Sequence, residues 1–136
     1  MEPEIWGPGA WTFLHTITLN YPNNPSEDDK QNHKDFFHNL KNVIPCPNCK
    51  EHYNINLQKY PIDVNLESKE KLVKWLINIH NEVNIKNNKK VYSYDEVTKL
   101  YDNMYKGKNK VNYNMILIII VLVLLCYFIY KGYICK

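Results

Sequence analysis

Sixteen consecutive residues, Met115 to Tyr130, read MILIIIVLVLLCYFIY without a charge, and no other feature constrains the fold as much. Lys110 and Lys131 bracket the run and leave 20 residues between them. A helix of that length spans roughly 30 Å, about one bilayer core. Tyr113, Tyr127, Tyr130 and Tyr133 fall near its two ends, where interfacial aromatics belong. The residues before it form too small a domain to wrap such a helix on all sides. The chain therefore reads as one domain over 1–107, a linker over 108–112, a transmembrane helix over 113–133 and a short tail over 134–136.

The first twenty residues hold Glu2, Glu4, Trp6 and Pro8 but no basic region followed by an apolar run, so no signal peptide is expected. The expectation is a single-pass membrane protein anchored through its C-terminal span, with residues 1–110 on the cytosolic side. Lys106, Lys108 and Lys110 before the span, against Lys131 and Lys136 after it, agree with that orientation. All 14 acidic residues and 15 of the 17 basic ones precede residue 111, so this part carries about +1. Every base is Lys. A basic face and some Arg would be expected of a nucleic-acid binder, and none is predicted here. Four cysteines do not make a disulfide-dense secreted scaffold.

The domain reads as helices. Residues 11–20 place Trp11, Leu14, His15 and Thr18 on one face, and Tyr21-Pro22 stops the run. Ser26 offers an N-cap, with Glu27, Asp28 and Asp29 in the first turn to suit the helix dipole. The helix it opens carries Phe36, Phe37, Leu40, Val43 and Ile44 before Pro45. A third begins at Cys46, with Pro47 at the favoured first position, and runs to about Gln58. A fourth spans Ser68 to Lys86 with an apolar stripe of Leu72, Val73, Leu76, Ile79 and Val83. Ser93 to Glu96 is a capping box opening a fifth that ends near Gly107. No segment alternates with period two, so the domain is all-α, a small bundle.

The chemistry begins at Cys46-Pro47-Asn48-Cys49. Two cysteines at this spacing on a helix start can close a disulfide, and the unpaired N–H groups there favour a thiolate. The same spacing serves zinc. Cys46, Cys49 and His52 make C-x2-C-x2-H, with His38 or His80 available as a fourth ligand, but residues 1–110 hold no second cysteine pair to complete such a site. A zinc-stabilised, tail-anchored adaptor without activity is the alternative this leaves open. A second constellation is His80-Asn81-Glu82-Val83-Asn84. Ile77, His80, Asn81 and Asn84 share one arc of the fourth helix, setting an imidazole and two amides beside aliphatic surface. That combination suits a flat, hydrogen-bonding ligand, and Lys86, Lys89 and Lys90 could meet its pyrophosphate.

Taken together these residues resemble the Erv/ALR FAD-linked sulfhydryl oxidases. Trp6-Gly7-Pro8-Gly9-Ala10-Trp11-Thr12-Phe13-Leu14-His15, Tyr21-Pro22, Cys46 to His52, and His80 to Asn84 with Lys86 and Lys89 occur in that family's order and spacing over roughly residues 5–105. The small size and the abundance of Asn, Lys, Ile and Tyr look most like the versions encoded by large cytoplasmic DNA viruses, which would place the protein in host cytoplasmic or virion membranes. The resemblance implies a four-helix bundle with a short fifth helix that binds FAD, and no metal. It implies that Cys46 and Cys49 are the catalytic pair. Gly7, Trp11, His15 and His52 would line the cofactor. His80, Asn81, Val83 and Asn84 would hold its adenine-ribose and ring region, and Lys86 and Lys89 its phosphates. Tyr101 would lie against it.

The implied reaction is thiol:oxygen oxidoreduction: Cys46 exchanges with a thiol-containing substrate protein, Cys49 passes the electrons to FAD, and O2 accepts them as H2O2. A homodimer through the apolar faces of the first two helices is a further implication. The chain departs from many members in having no cysteine in residues 1–110 beyond this pair. Cys126 reads as a small apolar residue of the span, and Cys135 as a juxtamembrane cysteine beyond it.

Overall fold

The computed structural model describes residues 1–107 and 113–134, which form helices α1 (Pro3–Leu19), α2 (Glu27–Val43), α3 (Pro47–Lys59), α4 (Lys69–Lys86), α5 (Tyr94–Gly107) and α6 (Tyr113–Ile134), with a 3-10 turn at Asp63–Asn65 between α3 and α4. No strand occurs among the described residues. The expected linker 108–112, with Lys108 and Lys110, lies outside them, as do Cys135 and Lys136. The chain divides into two compact units, Met1–Thr98 and Lys99–Lys136.

In the first unit, local chemistry fixes where each helix starts. Ser26 Oγ accepts from the Asp29 backbone N–H at 3.1 Å, and the Asp29 carboxylate accepts from the Ser26 N–H at 2.9 Å, closing a reciprocal capping box. Ser68 caps α4 by accepting from the Lys71 N–H at 3.3 Å. Ser93 and Glu96 exchange bonds of 2.9 and 3.2 Å at the head of α5. Asn88, with φ of 53°, ends α4 in the left-handed conformation that Asn tolerates better than most residues. The Asn88 N–H reaches Ile85 O at 3.1 Å and the Lys89 N–H reaches Asn84 O at 2.8 Å, the paired bonds of a Schellman ending.

Three local expectations change. α1 begins at Pro3, eight residues before the expected start, and runs through Pro8. Gly7 carries no Cβ to collide with the proline ring, which removes part of the clash that usually turns a pre-proline residue out of the helix. The 3-10 turn has no periodic signal and was not expected; its side chains are polar at Asp63 and Asn65. Val43 lies at the frayed end of α2 and is exposed, while Phe36, Leu40 and Ile44 pack against the core.

α4 is the element around which the unit is built. It packs against α1, α3 and the 3-10 turn, while α2 packs on α3. Leu72, Trp75, Leu76 and Ile79 are buried together with Leu14, Phe37, Tyr53, Leu57, Ile62 and Leu66. The Trp75 indole meets the Phe37 ring edge-on at 4.9 Å and donates its N–H to Tyr60 O at 2.8 Å, so burial leaves no unpaired donor there. Tyr53 OH donates to Phe37 O and Tyr21 OH to Leu66 O, both at 2.9 Å.

In the second unit, Met115–Gly132 of α6 is long and apolar enough to cross a membrane, and none of it is buried in the protein. Cys126 is exposed along this helix.

Phe37 is fully buried against Trp75, so Phe37→Ala should lower the unfolding free energy by about 3–5 kcal/mol. Ser26→Ala should cost only about 1 kcal/mol. Denaturant unfolding followed by tryptophan fluorescence checks both, and equal costs would contradict the assignment of Phe37 to the core.

Candidate active site

Cys46 stands at the N-cap of α3 with Pro47 at the first helical position, where the missing proline N–H costs nothing. Its extended backbone, with φ of −126° and ψ of 118°, turns the chain from Pro45 into the helix. One turn on, Cys49 is bonded to it: the two sulfurs form a disulfide with the Cα atoms 5.1 Å apart. Cys46 Sγ also accepts from the Cys49 backbone N–H at 3.2 Å, so it sits among the unpaired amides of the helix start. Lys50 ties this end to α2 by donating to Asn42 O at 2.9 Å. Both cysteines are half-buried, and solvent reaches the pair. The bond between them takes both sulfurs away from the zinc arrangement. Among the described residues no group of three or more His, Cys, Asp or Glu is set to hold a metal.

The second constellation joins α1 to α4. His15 Nε2 and His80 Nδ1 are 3.0 Å apart, one nitrogen donating and the other accepting. Trp11 lies flat on His80, with ring centroids 3.8 Å apart and planes 5° from parallel, and is 6.3 Å from His15. Such a hydrogen bond requires at least one neutral ring. Burial, then the proximity of His80, lowers the His15 pKa to about 4. Burial, then the charge of Lys89, lowers His80 to about 4 as well. At neutral pH the site therefore presents two uncharged imidazoles and an indole face.

α3 meets the same region of α4 through His52, one turn beyond Cys49, whose Nδ1 accepts from Lys86 Nζ at 2.9 Å. Asn84 is buried and Val83 half-buried beside it on α4. Asn81 has an engagement that the sequence does not indicate. Its Nδ2 donates to Tyr92 O at 2.8 Å and its Oδ1 accepts from the Tyr92 N–H at 3.0 Å, fastening the segment that follows α4. Lys89 lies in that segment. Gly7 is on α1, four residues before Trp11, where an added Cβ would meet nothing within 4 Å. Tyr101 is buried but belongs to the second unit.

Sequence reasoning missed two features of this unit. Glu82 accepts from Lys59 Nζ at 2.8 Å and from Tyr60 OH at 2.7 Å, clamping the end of α3 to α4. The Trp6 indole N–H is buried without a partner among the described residues. Trp6 was read only as part of a motif; a tryptophan beside Gly7 was the one available signal.

Three comparisons bear on this arrangement. A probable FAD-linked sulfhydryl oxidase of Acanthamoeba polyphaga mimivirus is 44% identical over 115 residues, 84% of this chain and 80% of that protein. A mitochondrial FAD-linked sulfhydryl oxidase of Schizosaccharomyces pombe is 35% identical over 78 residues, 57% of this chain and 43% of its own length. The crystal structure of the FAD-binding domain of Erv1 from Saccharomyces cerevisiae superposes with a TM-score of 0.65 at 29% identity, covering 68% of this chain and 87% of that one. The sequence pattern of the Erv1/Alr family runs over residues 8–106, which takes in the His15–His80 contact and the Cys46–Cys49 disulfide, and the chain belongs to that family.

Proposed function

We propose that the protein is an FAD-dependent sulfhydryl oxidase that forms disulfide bonds in a substrate protein. The observation that carries this reading is the Cys46–Cys49 disulfide at an accessible helix start, in the same unit as an uncharged imidazole pair of which His80 stacks on Trp11. The donor set fits FAD chemically: aromatic faces and neutral nitrogens suit its flat rings, and the Lys86 and Lys89 ammonium groups suit its diphosphate. In this reading Trp11, His15, His52, His80, Val83 and Asn84 hold the cofactor, with Gly7 allowing its close approach.

The protein's own part in the reaction is thiol–disulfide exchange. A substrate thiolate attacks Cys46 Sγ, the Cys46–Cys49 bond breaks, and Cys49 leaves as a thiolate in the first turn of α3. The second substrate thiolate then attacks the substrate sulfur of the mixed disulfide and releases Cys46. The substrate leaves with a new disulfide, its two thiol protons pass through solvent to the two cysteine sulfurs, and the electron pair rests on the Cys46/Cys49 dithiol. When bound, FAD supplies the two-electron acceptor that reoxidises this dithiol and passes the pair to O2, giving H2O2.

The membrane and a second copy complete the proposal. In this reading α6 crosses a bilayer once with residues 1–107 on the cytosolic face; the length and apolar character of Met115–Gly132 support the span, and Lys106, Lys108 and Lys110 against Lys131 and Lys136 agree with the orientation. Ile5 and Phe13 on α1 and Val43 on α2 are exposed and would be covered in a homodimer.

Cys46→Ser and Cys49→Ser should each reduce oxygen uptake with dithiothreitol by roughly a hundredfold or more while the protein stays yellow. An oxygen electrode reads the rate and absorbance at the flavin band reads the cofactor. Uptake unchanged in either variant would contradict the proposed chemistry.

The imidazole pair also sets a pH limit. Both histidines titrate at about 4 in the fold against an ordinary 6.5, so the unfolded chain binds more protons between those values. Stability is then fully present above pH 6.5 and falls as the pH drops toward 4. Carboxylates, with ordinary values of 3.8 and 4.5, contribute their losses mainly below that window. Thermal unfolding across it should show the decline with flavin release following at its acid end; a flat profile down to pH 4.5 would contradict the neutral pair.

A further inference from the structure

The segment between α4 and α5 is fastened at two points. At its start, the left-handed Asn88 and the bond from the Lys89 N–H to Asn84 O reverse the chain at the end of α4. At its end, the Asn81 carboxamide gives and takes one hydrogen bond with the Tyr92 backbone, at 2.8 and 3.0 Å, as a neighbouring strand would. Asn81 and Tyr92 are eleven residues apart, so the amide closes a loop that would otherwise leave α4 freely. Lys90 is held beside Glu96 at 2.7 Å and over the Tyr92 ring, which keeps its ammonium on the outer side. Among the described residues Lys89 has no such ion pair, and its charge lies near enough to His80, one residue before Asn81, to add to the burial that lowers the pKa of that ring.

We propose that Asn81 is a positioning residue: its carboxamide pins the returning segment at Tyr92 and thereby holds the Lys89 ammonium at the His15–His80 end of the site, where the cofactor's diphosphate would be met. This deepens the FAD reading and rests on it. The Asn81 carboxamide oxygen and one of its two N–H groups bond the Tyr92 backbone, and that pairing is the route by which it positions Lys89.

Hydrogen exchange at the Tyr92 amide and the dissociation constant for FAD, read by flavin fluorescence, test this in the full chain. Asn81→Ala should speed Tyr92 exchange by at least about tenfold and weaken FAD binding by about tenfold. Lys89→Ala should weaken FAD binding at least as much, and the double variant should be no weaker than Lys89→Ala alone. Single effects that multiply in the double variant would overturn the proposal, because Asn81 would then act on the cofactor directly. Unchanged Tyr92 exchange or unchanged FAD affinity in Asn81→Ala would overturn it as well. If Asn81→Ala does not fold, Asn81→Asp, which keeps the acceptor for the Tyr92 N–H and loses the donor, takes its place in the cycle. A wild-type chain that takes up no FAD would instead overturn the cofactor reading, and Tyr92 exchange would still decide whether the clasp exists.

Discussion

Two uncharged histidines facing each other across α1 and α4 are the contact on which the first unit depends. A charge on both rings would place like charges 3.0 Å apart with little water to screen them, so helix packing and protonation state are one constraint. Trp11 completes the arrangement by stacking on His80, which fixes the ring plane as well as its position. The remainder of α4 gives this contact a rigid base. Trp75, buried between Phe37 and the Tyr60 carbonyl, and Leu72, Leu76 and Ile79 on the same stripe hold the helix against its neighbours.

α3 brings the sulfur chemistry to that base. Its first turn holds the disulfide among unpaired amides, and its later turns are tied to α4 by His52 with Lys86 and by Lys59 and Tyr60 with Glu82. Reduction of the disulfide would free a thiolate where the helix end already favours negative charge. The fold thus keeps the redox bond at an accessible helix start and backs the half-buried Trp11 and His80 rings with the buried His15.

Much of this was legible in the sequence because it is local. Ser26 and Ser93 cap the helices they were expected to cap, Pro47 opens α3, and the apolar stripe from Leu72 to Ile79 is the core face of α4. Pattern reading failed where one element depends on another. The helical pattern was legible only from residue 11, whereas α1 starts at Pro3 and accommodates Pro8. Nothing in the sequence says that the chain returns along α4 to present the Tyr92 backbone to the Asn81 carboxamide. Glu82 had no role assigned from the sequence, yet it receives both Lys59 and Tyr60. The four motifs in register carried the family and cofactor, since no single spacing distinguishes a redox pair from half a zinc site.

The central claim is that this chain couples a dithiol to oxygen through a bound flavin. The most direct test is the visible absorption spectrum of the purified full chain in detergent, recorded anaerobically before and after dithiothreitol and again after air is admitted. The account predicts a flavin spectrum that bleaches with the dithiol and returns with oxygen. A colourless, folded protein, or a flavin spectrum that the dithiol leaves unchanged, would contradict it.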